Sequence, residues 1–180
     1  MPLIVIETGE IVEGANSFVS VDDYRLYFSD IGIDTSSSSD MEISERLVVA
    51  FRAMDTMYWG RLQGQKVQAN QSGMFPRRNM INIETGETLE SNNIPRNVKY
   101  WQIEAAKILF NKGIETLEPM LENIGGVKSY TSTVDVLTES VTFATSGRFD
   151  VQIFTRLENL MRPFLKHVTI INMPIVGKYA

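Results

Sequence analysis

The chain contains no cysteine and a single histidine, His167. The missing cysteine excludes disulfides, thiolate metal sites and a cysteine nucleophile. It fits a reducing compartment. A Ser/His/Asp mechanism would hang on one imidazole with no acidic motif beside it. Metal sites need clustered His, Cys or carboxylate ligands. The pair Asp22-Asp23 points in two directions on a helix, and helix capping explains it better. Long apolar runs are missing too. Leu3–Ile6 is too short for a signal core and lacks a basic leader. No run approaches a membrane span. There is no Walker A loop and no G-x-G-x-x-G. Without a secretory signal, the sequon "NQS" at 70–72 carries no weight. These absences predict a protein with no catalysis, no cofactor, no metal and no membrane partner, made and used inside the producing cell.

What is present is an ordinary globular composition with uneven charge. The 180 residues favour one domain, and 43% of them are hydrophobic. A compact chain of this length buries roughly 70% of its unfolded surface, so one core needs no staples. The net charge of −5 divides sharply along the chain. Residues 1–51 hold 2 bases and 10 acids, residues 52–112 hold 9 and 5, and residues 113–180 hold 6 and 7. An acidic front joined to a basic middle suits head-to-tail contact between copies. The overall field repels DNA.

Periodicity places the elements. Residues 3–6 read as a short strand or arm. Ser20 caps a helix with Asp23 three residues on, and Val19 and Tyr24 take the staple positions. That helix is expected to end near Gly32. Ser39 or Asp40 caps a second helix over 41–58, whose stripe is Ile43, Leu47, Ala50, Phe51, Met54 and Tyr58. Residues 60–93 lack helical period, and so long a connection is usually functional or disordered. Within it, "MINIETGETLE" reads as a hairpin turning at Thr85-Gly86. Pro95 opens the best helix. One stripe is Val98, Trp101, Ala105 and Ile108; a second is Ile103, Ala106 and Phe110. A helix apolar on two sides is central. A short helix is expected over 115–124, stopped by Gly125-Gly126. A β-hairpin is expected in "VKSYTSTVDVLTESVTFA". The last helix has the face Phe154, Leu157, Met161 and Phe164, with Pro163 near its end. The tail "HVTIINMPIVGKYA" reads as extended and apolar. The expected fold is mainly α: a small helical bundle with a β-hairpin, a long loop and extended N- and C-terminal arms. It forms one domain over 1–165, with the insertion 60–93, and an arm over 166–180.

Two segments are candidate sites. "YWGRLQGQKVQANQSGMFPRRN" (58–79) holds four bases and no acid. Tyr58, Trp59 and Phe75 could stack on bases while Arg61, Lys66, Arg77 and Arg78 hold phosphates. The same four cations could instead meet the acidic front of a neighbouring copy or another protein. In that case Tyr58-Trp59 cover the lower edge of the core and Phe75-Pro76 anchor the loop. The second candidate is the arm: Val168, Ile170, Ile171, Met173, Ile175, Val176 and Tyr179. An exposed strand-like segment is a pairing hazard unless covered. It can fold back on its own body or add to another chain's sheet.

Four motifs in order carry a resemblance: "GANSFVSVDDYRLYF" (14–28), "RAMDTMYWGRLQGQKVQ" with "FPR" (52–77), "IPRNVKYWQIEAAKILF" (94–110) and "VKSYTSTVDV" (127–136). The chain resembles the DnaT-like single-stranded-DNA-binding family of tailed phages. Phe18 stands where that family usually has tyrosine, and "MFPR" where it has W-P-R. The architecture also resembles head-to-tail connector adaptors. That resemblance implies a virion structural protein, present in the host cytoplasm during assembly. It implies a ring of copies, usually dodecameric, bound to the portal protein through the C-terminal arm. The long loop would face the channel or the next tail or nozzle component, and packaged DNA would pass through without sequence-specific contact. The expectation is therefore a head-to-tail adaptor linking capsid to tail. The alternative is a single-stranded-DNA-binding protein of phage replication.

Overall fold

The computed structural model describes residues 4–112, 130–134, 137–141 and 149–166. Helix α1 is Val21–Asp30, α2 Asp40–Tyr58, α3 Arg96–Lys112 and α4 Phe149–Met161, which runs into a 3-10 turn over Arg162–Phe164. The strands are short: β1 Gln65–Lys66 pairs antiparallel with β2 Arg77–Arg78, and β3 Tyr130–Val134 with β4 Leu137–Val141. The mainly α expectation holds. The hairpin expected in 127–144 is β3–β4, with Val134 opposite Leu137 at its turn. The helix expected over 115–124 and the tail from His167 lie outside the described residues.

The helix starts are chemically explicit. Ser20 accepts the Asp23 N–H, and the Asp23 carboxylate accepts the Ser20 N–H in return. Ser39 and Glu42 repeat the exchange at α2, so Ser39 rather than Asp40 is the cap. Each such box satisfies two backbone donors that no helical carbonyl can reach. Helix α1 stops at Asp30, one residue before its C-cap Ile31. Gly32 follows with φ +74° and carries the exit turn.

Helix α3 packs against both α2 and α4. Val98, Trp101, Ala105, Ile103, Ala106 and Leu109 are buried, while Ile108 and Phe110 are half-buried at the core edge. Every stripe residue expected on α2 is buried. Burying each large apolar side chain contributes about 1.5–3 kcal/mol. Leu157 and Met161 close the core from α4, and Phe164 from the turn. The side chain of Phe154 lies outside the described residues.

One buried amide joins three parts of the chain. Gln102 is fully buried. Its Oε1 accepts the Phe18 N–H at 2.8 Å, and its Nε2 donates to Ser17 Oγ at 2.9 Å and to the Leu47 carbonyl at 2.8 Å. The segment around "ANSF" is thereby stitched to α2 and α3. The Asn16 side chain in turn accepts the Val5 N–H, and Ile6 bridges Ser17 in parallel. The N-terminal arm is thus laid against the body. Its bend is held by buried Glu7, whose carboxylate accepts the N–H groups of Gly9, Ile11 and Val12 at 2.9–3.1 Å.

Candidate partner or nucleic-acid interface

The acid-free loop follows α2 and returns to the body at Phe75. That ring is buried, edge-on to Phe18 and to Phe164 with centroids 6.3 Å away in each case. The Phe75-Pro76 peptide is cis. The loop is irregular apart from the two-residue β1–β2 pair, and side chains supply further donors to its carbonyls. Buried Gln71 supplies two: its Nε2 donates to the Gly73 and Pro76 carbonyls, and its Oε1 accepts the Gln68 N–H. Gly64 has φ +61°, and a Cβ there would lie 2.3 Å from the Arg78 carbonyl. Only glycine fits that crossing.

The four candidate cations have different fates. Arg77 is half-buried and turned inward. Its guanidinium donates to the carbonyls of Gln63 at 2.8 Å, Gly64 at 2.9 Å and Met74 at 3.3 Å. Burial lowers its pKa. Lys66 is half-buried, with Nζ 3.5 Å from the Gln71 carbonyl. It faces Asp55, whose pKa is raised by burial against the opposing pull of Lys66 and of the Met74 N–H. Arg61 ion-pairs with Glu158 and lies 5.2 Å over the Tyr58 ring. Arg78 is exposed, and no described residue partners its side chain. So the fold brings Arg61, Lys66 and Arg77 into contacts with their own chain and leaves Arg78 outward. The arm residues Val168, Ile170, Ile171, Met173, Ile175, Val176 and Tyr179 lie outside the described residues, as does His167.

The two aromatics at the end of α2 divide. Tyr58 is fully buried, its hydroxyl accepts Trp101 Nε1–H at 3.0 Å, and burial pushes its pKa up. Trp59, one residue on, is 77% exposed. The expectation that both cover the core edge therefore holds for Tyr58 and fails for Trp59. The helix ends at Tyr58, and the C-cap backbone (ψ 124°) swings the indole away from the stripe.

Around Trp59 the chain forms a neck that sequence pattern did not reveal. Leu62 bridges Leu165 antiparallel. Gln63 N–H donates to the Phe164 carbonyl at 2.9 Å and Lys166 N–H to the Arg61 carbonyl at 2.8 Å. Lys166 Nζ reaches the Gly60 carbonyl at 2.8 Å. The expected 80–90 hairpin joins the neck. Its ladder is one bridge, Ile81 to Thr88. Ile83 N–H donates to the Pro163 carbonyl at 3.2 Å, and Ile81 N–H to Gln63 Oε1. Ile81 and Ile83 are exposed. The surface thus offers Trp59, two isoleucines and the exposed cation Arg78, while Arg61 and Lys166 are tied to Glu158 and to the Gly60 carbonyl. It can stack and pair ions. Among the described residues, no group of His, Asp or Glu could hold a metal, and no helix is long and apolar enough to cross a membrane.

A second polar cluster lies away from the loop. Buried Glu104 accepts from Tyr27 and from Arg156, which clamps α1 and α4 onto α3. Burial, then the hydrogen bond to Glu104, pushes the Tyr27 pKa up to about 12.

A family model described as "Putative DnaT-like ssDNA binding protein" matches residues 1–176. No curated protein and no solved structure matches the chain.

Proposed function

From the premise that the chain belongs to this DnaT-like family, we propose that it is a non-catalytic assembly protein: a head-to-tail connector adaptor of a tailed phage. Copies would form a ring on the portal protein, with the C-terminal arm reaching the portal and the next tail component docking beyond. Packaged DNA would pass through the channel, and the protein would reside in the virion.

One observation carries the reading. The loop richest in cations ties Arg77, and more loosely Lys66 and Arg61, to its own chain. A phosphate grip keeps such donors free for the ligand. A loop pinned to its own body, next to an exposed indole and exposed isoleucines, is instead the make-up of a protein-contact surface.

A second reading has its own support. The family description names single-stranded DNA, and Trp59 stands exposed near Lys166 and Arg61. Each base stacked on an aromatic is worth roughly 1–3 kcal/mol. The two readings part on one pair of measurements. An adaptor co-purifies with portal rings and is seen on them by electron microscopy, while oligonucleotides bind weakly at physiological salt. A DNA-binding protein holds oligonucleotides with a log–log salt slope of about −0.7 per phosphate contacted, loses them on Trp59→Ala, and ignores portal rings. That second outcome would retire the adaptor reading.

A further inference from the structure

The two ends of α2 carry exposed apolar patches in opposite charge settings. Toward its N-terminal end, Leu26 on α1 is 62% exposed, and Ile31 and Ile33 in the connection and Met41 at the start of α2 are exposed as well. Residues 22–45 hold seven acids and one base, Arg25. Arg25 is engaged: it donates to the Thr35 and Ser38 carbonyls at 2.9 Å and ion-pairs with Asp40. Asp22, Asp30 and Glu45 are exposed and have no partner among the described residues. At the C-terminal end stand Trp59, Ile81 and Ile83. Lys166 holds the Gly60 carbonyl next to Trp59 in the chain, and Arg78 and Arg162 are exposed without described partners. Glu158 on this side is occupied by Arg61, while Glu84 and Glu87 sit at the hairpin turn. The 19 residues of α2 separate the patches, by about 28 Å at 1.5 Å per residue.

We infer that the Trp59 patch of one copy docks on the Leu26–Ile33 patch of a second copy, head to tail. The inference deepens the assembly reading above and rests on it. Like patches facing each other would set acid against acid or base against base, which disfavours a two-fold contact. Unlike patches at opposite ends of one rod make a heterologous contact, which repeats from copy to copy and closes into a ring if the rotation allows. Charge complementarity sets the register and speeds encounter. An exposed tryptophan entering an apolar patch is the kind of residue that dominates such interfaces.

The test uses the full chain and its oligomeric state, read by sedimentation and native mass spectrometry over a range of concentration and salt. Wild type is expected to associate beyond a dimer, more weakly at high salt. Trp59→Ala and Ile33→Lys should each weaken association at least tenfold while keeping the wild-type melting curve. Their equimolar mixture should form a 1:1 dimer and stop there, because each variant retains one intact patch. Should either variant melt early, Arg78→Glu and Leu26→Asp give the same mixing test at exposed side chains. Wild type that stays monomeric at every condition overturns the inference. So does a mixture that fails to pair. Portal capture separates the two claims. Capture without self-contact sinks the inference and leaves the adaptor; self-contact without capture sinks the adaptor and leaves the inference.

Discussion

Residues 22–45 hold seven acids and one base, and residues 58–79 hold four bases and no acid. The acidic segment wears its charge outside. Its carboxylates touch backbone at helix starts, where Asp23 and Glu42 each accept a cap N–H while staying exposed. The basic loop turns its strongest donor inside, where Arg77 holds three carbonyls. The difference follows from which backbone group each context leaves unpaired. A helix N-terminus has spare N–H groups and needs an acceptor. An irregular loop folded on a core has spare carbonyls and needs donors, and a guanidinium offers five in a rigid fork. Charge sign alone therefore does not mark a binding surface.

The sharpest way to break this comparison is Arg77→Ala. Losing a half-buried donor to three carbonyls should destabilise the fold by about 2–4 kcal/mol, read as a drop in the urea midpoint. Arg77→Lys should recover little, because an ammonium cannot reproduce the fork. Gln71→Leu tests whether the loop needs its pins rather than their charge. It leaves the Gly73 and Pro76 carbonyls without this donor, and about 1–3 kcal/mol should go. On the acidic side, Ser39→Ala removes one cap and should lower stability by about 1 kcal/mol. The same cap titrates. Hydrogen bonds from the Ser39 N–H and hydroxyl hold the Glu42 pKa below its ordinary 4.5. A depressed carboxyl contributes stability above 4.5 that fades as pH falls through its folded value. Acid unfolding followed by circular dichroism should therefore begin at a slightly lower pH in wild type than in Ser39→Ala. Smallest of all is Arg78→Ala, within about 0.5 kcal/mol. A loss as large as that of Arg77 would mean that both arginines are structural.

Much of the scaffold was legible in residue order. Ser20 with Asp23 announced one helix start and the Ser39-Asp40 pair a second, and the Ile43-to-Tyr58 stripe announced its own burial. Those signals are local, and the groups that satisfy them lie within a turn or two. The candidate site was legible only as composition. Arg77 and Arg78 are neighbours of one residue type, and nothing in their order tells which points inward. Trp59 directly follows the last stripe residue, and only the backbone turn at the helix end put it in solvent. Gln102 carried a fainter signal: a lone amide flanked by Trp101 and Ile103 on a helix apolar on two sides. Such a residue must find partners in the core or be excluded from it.

Residue order by itself determined the helical class, the helix starts, the buried stripes and the uneven spread of charge, because each depends on spacing along a few turns of chain. Only the tertiary structure decided which cations remain available, that Trp59 faces solvent while Tyr58 does not, and that residues 60–63, 81–83 and 163–166 meet in one neck. Those outcomes depend on backbone groups distant in sequence, such as the Lys166 N–H against the Arg61 carbonyl. Which of them goes unpaired is known only once the core has closed.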